Sequence, residues 1–113
     1  MRHSPSGGAG ASAAWVTMVL SHGAGGGIDA PDLVAVAAGL PAYGVDVVLV
    51  EQPWRVAGRR LAPRPDRLDA AFEAVLAHVA PATPFVVGGR SAGARVACRT
   101  GAGLGAVGVL ALA

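Results

Sequence analysis

The feature that most constrains the fold is the alternation of four short apolar runs with segments of helical character. The runs cover residues 15–21, 45–50, 85–88 and 107–113. Because they are apolar almost throughout, they predict strands buried on both faces, as in a parallel sheet. The segments between them predict helices over residues 31–43, 66–79 and 92–100. The sequence therefore predicts an α/β fold with a parallel sheet of about four strands and flanking helices.

Residues that start and stop helices support this division of the chain. Asp29 can cap the first helix, and Pro31 fits its first turn because the N–H that proline lacks would have no partner there. Gly44 predicts the end of that helix. Asp66 predicts the cap of the second helix, and the prolines that follow residue 80 predict its end.

A serine lies where the third predicted strand meets the third predicted helix. The segment 89–93 reads G-x-S-x-G, with Ser91 at its centre and Ala92 beside it. A nucleophile elbow holds its serine in a strained backbone conformation, and neighbouring side chains would collide in so sharp a turn, which explains Gly89 and Gly93. Ser91 is therefore the candidate nucleophile. The alternative is a tight glycine turn in which this serine caps the helix.

A glycine-rich loop follows the first predicted strand, with the sequence HGAGGG over residues 22–27. Ester-cleaving α/β enzymes use a loop of this type to donate a backbone N–H to the oxyanion. The predicted oxyanion donors are the N–H of Ala92 and that of Ala24 or Gly25. We expect His22 to brace the backbone rather than to catalyse, and Gly23 to belong to the same structural motif.

With both motifs in order, the chain resembles the central part of an α/β-hydrolase. More narrowly, it resembles the bacterial α/β-hydrolase-like family related to dienelactone hydrolases and to the hydrolase-like domain of testis-expressed and histone-acetyltransferase-complex proteins. Segments 22–33, 50–60 and 86–101 carry the likeness. The resemblance implies a serine hydrolase acting on an ester or related acyl substrate, without cofactor or metal. It also implies that the first and third strands are neighbours, which brings both loops to one switch point of the sheet.

The residues that should complete a catalytic triad are missing. In this family the serine is followed along the chain by an aspartate or glutamate and then a histidine, but residues 92–113 contain none of these. His22 belongs to the glycine loop, His78 is expected on the exposed flank of the second helix, and His3 lies near the start. We therefore expect a truncated hydrolase domain that is inactive as it stands.

Two other functions remain open. The missing acid and base favour a non-catalytic α/β-hydrolase-like scaffold or interaction module. The glycine loop could instead cradle a phosphate at the start of the first helix, as in a nucleotide-binding α/β module, although the chain has no lysine for a P-loop. The G-x-G-x-x-G over residues 103–108 follows a helix and precedes a strand, so we interpret it as a helix-exit loop.

Composition limits the partners and the compartment. A formal net charge of +2 gives no reason to expect nucleic acid, and no apolar run is long enough to span a membrane. The single cysteine, Cys98, is expected to be buried and indicates the reducing cytoplasm. Residues 1–14 are expected to form a flexible tail before the partial hydrolase domain at 15–113. Its last apolar strand, uncharged and without proline, predicts self-association.

Glu51 is a further candidate for a functional role because of its position. Glu51 lies at the carboxyl end of the second predicted strand, where ligands bind in sheets of this kind. A role in bracing the adjacent loop by a hydrogen bond is the simpler interpretation, and it is the one we adopt.

Overall fold

A five-stranded sheet organises the computed structural model, which describes residues 2–4, 14–82 and 84–112. The strands are β1 (Arg2–Ser4), β2 (Val16–Ser21), β3 (Val45–Val50), β4 (Phe85–Arg90) and β5 (Gly108–Leu112). Their order across the sheet is β1-β3-β2-β4-β5. The four strands from β2 onward are parallel, and β1 pairs antiparallel with β3. The predicted α/β class and four-stranded parallel sheet are confirmed.

Helices connect each parallel strand to the next. They are α1 (Pro31–Gly39) with a 3₁₀ turn over Leu40–Tyr43, α2 (Pro53–Val56), α3 (Pro65–Val79) and α4 (Ala92–Leu104). The chain leaves β2 to form β3 on one side, then crosses β2 to form β4 and β5 on the other. The carboxyl ends of β2 and β4 therefore flank the point where the winding direction reverses. In open α/β sheets, ligands bind at this point.

Apolar side chains cover both faces of the sheet, as the continuous apolar runs predicted. On one face Leu20, Val47 and Leu49 pack with α1 through residues such as Leu33. On the other face the alternate strand residues pack with α2, α3 and α4. That second cluster is Val19, Val48, Val50, Trp54, Leu68, Phe72, Leu76, Val87, Val96 and Ala97. Each central strand thus contributes buried side chains in both directions.

The predicted helix caps were wrong, although the predicted helices exist. The residue before α1 is Ala30 and the residue before α3 is Arg64, and neither helix has a side-chain cap bond. The prolines take the first helical position, which places Asp66 inside the first turn of α3 rather than at its cap. There it pairs with Arg64 at 3.4 Å. Gly44, by contrast, adopts a left-handed φ of 83° and ends the 3₁₀ turn as expected.

Other boundaries differ from the sequence predictions. Residues 2–4, assigned above to a flexible tail, form a strand, while residues 5–13 of that tail lie outside the described residues. The connection after β3 contains the short helix α2. Helix α4 continues past residue 100 to Leu104 and ends at Gly105, whose φ is 84°. The G-x-G-x-x-G segment thus lies at a helix exit. Cys98 is exposed, so its predicted burial was wrong.

The outer edge of β5 has no partner strand among the described residues. β5 is last in the order of strands, and it pairs through its other edge with β4. Val109 is 45% exposed and Val107 is 68% exposed, and the strand carries no charge. Unpaired apolar edges of this kind pair with other chains.

We predict that two copies of the chain associate through β5, and that Val109→Lys weakens this association because two like charges would face each other across the new ladder. Val34→Lys, the same change on the exposed side of α1, is the matched control. Sedimentation velocity over a range of concentrations measures the effect. A wild-type chain that is monomeric at every concentration, or equal dissociation of both variants, would contradict the prediction.

Candidate active site

Ser91 occupies the single residue between β4 and α4 in a conformation that few non-glycine residues adopt. Its φ is 52° and its ψ is −111°, and Ala80 is the other non-glycine residue with positive φ in the described part of the chain. Such a conformation costs about 1–3 kcal/mol and persists only where the surroundings enforce it. The N–H of Ser91 donates to the carbonyl of Leu112 at 3.1 Å, which holds the turn against β5. The side chain is exposed and makes no capping hydrogen bond, unlike the simple helix cap considered above.

Close backbone contacts explain the glycines around this serine. A Cβ on Gly93 would overlap the carbonyl oxygen of Ser21 and lie 2.6 Å from its Oγ. A Cβ on Gly89 would overlap the same carbonyl and approach the Gly93 carbonyl carbon at 2.7 Å. A Cβ on Gly23 would lie 3.2 Å from the Cβ of Ser91. The start of α4, the end of β2 and the glycine loop therefore approach one another only because these positions have no side chain.

His22 fastens the glycine loop to the end of β3. Its side chain is fully buried. Nε2 accepts the backbone N–H of Gln52 at 3.0 Å, so the ring carries its hydrogen on Nδ1, which lies 2.7 Å from the carbonyl oxygen of Gly23 and donates to it. Both ring nitrogens are thus used within the protein. The expectation that His22 braces backbone matches this geometry.

Gln52 completes this connection and was missed by the sequence analysis. Its side-chain Nε2 donates to the carbonyl of His22 at 2.7 Å, and its Oε1 accepts from the indole N–H of Trp54 at 2.6 Å. The Trp54 ring meets the His22 ring edge-on, with centroids 6.0 Å apart. Glu51, which we expected to brace the loop, is partly exposed and pairs with Arg55 at 3.8 Å. The sequence signal that could have identified Gln52 is an amide side chain at a strand end, just before Pro53.

Two clefts meet at Ser91. One, of about 410 Å³, lies between Ser91, Arg90 and the glycine loop at residues 23–26. The other, of about 510 Å³, lies between the first turns of α4 and the end of β5 and includes Arg95 and Cys98. In the described residues, the N–H groups of Ala24, Gly25 and Ala92 donate to no protein acceptor. Their role as oxyanion donors stays a prediction.

The charged residues of the two clefts are arginines. Arg90 pairs with Asp32 on α1 at 3.3 Å. Arg99 binds both carboxylate oxygens of Asp69 on α3, at 2.8 Å for the shortest contacts. This hydrogen bonding raises the pKa of Arg99 further, so its charge is permanent. Arg95 has no ion-pair partner among the described residues.

The structure does not bring the two histidines whose side chains it describes, His22 and His78, to the serine. The His22 ring is committed to backbone groups. His78 is exposed at the end of α3, as expected, and lines a separate cavity of about 410 Å³ with Thr17 and Asp46, which lie near the starts of β2 and β3. That cavity lies at the amino ends of these strands, whereas Ser91 lies at the carboxyl end of β4. The side chain of His3 lies outside what the structure describes. Within the described ranges, no group of three His, Cys, Asp or Glu side chains could hold a metal.

Comparison with known protein families agrees with this architecture. The family described as alpha/beta hydrolase domain matches residues 14–113. The chain belongs to this family. No curated protein and no solved structure matches this hydrolase domain. The family is consistent with the parallel sheet and its flanking helices, but the narrower relation to dienelactone hydrolases stays a prediction. None of the described helices of the hydrolase domain is long and apolar enough to cross a membrane.

We predict that Gly93→Ala destabilises the hydrolase domain by about 1–3 kcal/mol or more, because the added methyl group overlaps the Ser21 backbone. Gly103→Ala, the same change on the same helix, meets no atom within 4 Å and should stabilise it by about 0.5–1 kcal/mol. Urea denaturation gives both free energies of unfolding. Changes of the same sign would refute the close approach of α4 to β2.

We further predict that Gln52→Ala costs about 1–3 kcal/mol for each buried group that loses its partner, namely the His22 carbonyl and the Trp54 indole N–H. Glu51→Ala, one residue away, should cost less than about 1 kcal/mol because its ion pair is partly exposed. Thermal and urea denaturation compare the two. A larger loss of unfolding free energy for Glu51→Ala than for Gln52→Ala would show that Glu51 braces the loop.

Proposed function

We propose that this chain is a serine hydrolase of the α/β-hydrolase class that acts on an ester or a related acyl compound. The observation that carries the proposal is the backbone of Ser91, with φ at 52° in the turn from β4 to α4 and its side chain exposed between two clefts. A simple connection between a strand and a helix does not require this strain. The motifs at 22–33 and 86–101 support the narrower relation to dienelactone hydrolases.

In the proposed reaction, the Oγ of Ser91 attacks the acyl carbon and the carbonyl oxygen becomes an oxyanion. The N–H of Ala92 and that of Ala24 or Gly25 donate hydrogen bonds to that oxygen. The positive end of α4, a helix of 13 residues, favours the same charge. The hydrogen bonds of His22 and Gln52 hold the glycine loop against the end of β3. Solvent water takes the proton of the Ser91 hydroxyl as the new C–O bond forms, and that proton is returned to the alcohol as the original ester C–O bond breaks. A second water then attacks the acyl carbon, which releases the carboxylic acid and restores the Ser91 hydroxyl.

The described residues offer Ser91 no general base. His22 cannot accept its proton, because Nε2 already accepts the N–H of Gln52 and Nδ1 donates to Gly23. His78 lies near the amino ends of β2 and β3, away from Ser91. A positioned base contributes about 10²–10⁴-fold in rate. We therefore propose that turnover by the chain as given is negligible, while the oxyanion donors leave a weakly reactive serine.

The commitment of His22 to backbone groups also favours a second candidate, a non-catalytic scaffold or interaction module of the same fold. In that case the loop at 22–27 keeps its shape for packing, and Ser91 has no chemical role. The two functions differ in the reactivity of Ser91, because a scaffold gives its hydroxyl no activating donors.

A phosphate site at the start of α1 is less well supported. The N–H of Leu33 at this helix start donates to the carboxylate of Asp32 at 2.9 Å, and Asp32 also pairs with Arg90. A negative side chain therefore occupies the place that a phosphate would take.

We also propose the cytoplasm as the compartment, since the exposed thiol of Cys98 has no second cysteine in the chain to pair with.

We predict that a neutral alkyl fluorophosphonate labels Ser91 slowly, about 10²–10⁴-fold more slowly than a serine with a positioned base. Peptide mapping by mass spectrometry locates the adduct, and Ser91→Ala should abolish it. Cys98→Ala removes the other reactive side chain of the same cleft and should leave the labelling rate unchanged.

Two results would overturn the hydrolase proposal. The first is no adduct on Ser91 after prolonged incubation with the folded chain, which would favour the scaffold. The second is a large rise in melting temperature with a nucleotide, because tight phosphate binding at the glycine loop would assign that loop to another function.

A further inference from the structure

The charged side chains that line the two clefts at Ser91 are all arginines. Arg90 lines the cleft on the side of the glycine loop, and Arg95 and Arg99 line the cleft on the side of β5. No aspartate or glutamate lines either cleft. Since the whole chain has a net charge of only +2, this concentration of arginine is local.

Two of the three guanidinium groups are already neutralised. Arg90 is paired with Asp32 and Arg99 with Asp69, the latter through three hydrogen bonds between the two side chains. Bidentate pairing of this kind uses the directional donors of a guanidinium as well as its charge. Arg95 has neither kind of partner among the described residues, and its side chain is exposed at the cleft. Arg95 is therefore the cleft arginine whose charge and N–H donors are not engaged by another described residue.

The position of Arg95 relative to Ser91 is set by the helix. The N–H of Arg95 donates to the carbonyl of Ser91 at 3.1 Å, in the first hydrogen-bonded turn of α4. One turn rises about 5.4 Å, so Arg95 lies one turn along the helix from Ser91, and both residues line the same cleft. The first turn of α4 holds no acidic residue, whereas α1 has Asp32 and α3 has Asp66 in theirs. The helix dipole therefore adds to the positive potential.

We propose that the site selects esters in which one arm ends in an oxyanion group, a carboxylate or a phosphate, and that Arg95 binds this group. The inference rests on the proposed function, because it assigns the substrate class of the same serine. The β5 side of Ser91 receives the charged arm, and the glycine loop receives the acyl oxygen. Arg95 is then a substrate-binding residue, and it takes no part in the bond changes.

The test uses three fluorophosphonates of equal chain length that end in a methyl ester, a carboxylate or a phosphate. The labelling rate of Ser91 is measured for each. We expect at least one charged probe to react about three- to tenfold faster than the methyl ester, the range of a half-exposed ion pair with good geometry. The faster of the two charged probes identifies the oxyanion group. The preference should shrink as salt is raised, because exposed charge pairs are screened.

Variants of Arg95 separate binding from structure. Arg95→Gln should bring the labelling rate of the charged probe down to that of the methyl ester, and Arg95→Lys should restore part of the preference. Arg60→Gln removes the same charge from the connection before α3, lines neither cleft, and should change no rate ratio. The proposal is overturned if the three probes react equally, or if Arg95→Gln and Arg60→Gln behave alike.

Failure of the inference and failure of the proposed function have different signatures. Labelling of Ser91 at equal rates by all three probes keeps the hydrolase and rejects the anionic substrate. No labelling by any probe rejects the hydrolase and, with it, the inference.

Discussion

The close approach of α4 to the end of β2 is the contact on which the site depends. Ser21 pairs with Gly89 across the sheet, and Gly93 lies directly over the Ser21 carbonyl oxygen. This contact forces the chain to turn within one residue, and the turn sets the positive φ of Ser91. If either glycine carried a side chain, the helix would move away from the sheet. The glycine loop at the end of β2 would then lose its position beside the serine.

A second constraint comes from the buried polar chain that runs from the glycine loop to α2. The side chains of His22 and Gln52 bond to three backbone groups, and Trp54 donates to the Gln52 side chain, in a region otherwise packed with apolar side chains. Buried polar groups are costly unless they are paired, so a fully paired chain of this kind favours one conformation of the loop. The histidine gains a structural role and is lost to catalysis by the same hydrogen bonds.

The sequence predicted the features that depend on local pattern. The strands follow from the apolar runs, and the glycines that flank Ser91 follow from the steric needs of a sharp turn. The neighbouring positions of β2 and β4 were implied by the family resemblance and not by local pattern. The prediction failed at the helix starts, where neighbouring residues compete for the cap position. Prolines moved the helix starts and displaced Asp66 from its expected cap.

Gln52 braces the glycine loop in place of the predicted Glu51, and the local sequence pattern does not show why. Adjacent residues at the end of a strand point to opposite sides, and only the side of Gln52 faces His22 and Trp54. The burial of Cys98 was predicted wrongly for a similar reason, because α4 exposes that face to the cleft beside β5.

The antiparallel pairing of residues 2–4 with β3 gives the two ends of the sheet different capacities for growth. On that side the outermost described strand has only three residues, and very short edge strands are one way in which proteins block further pairing. On the other side β5 presents a five-residue edge. A sheet with one extendable end can join a second sheet about a twofold axis, and the union then has a short strand at each extremity. The predicted association through β5 would therefore close at two copies, whereas a sheet open at both ends would continue into a filament.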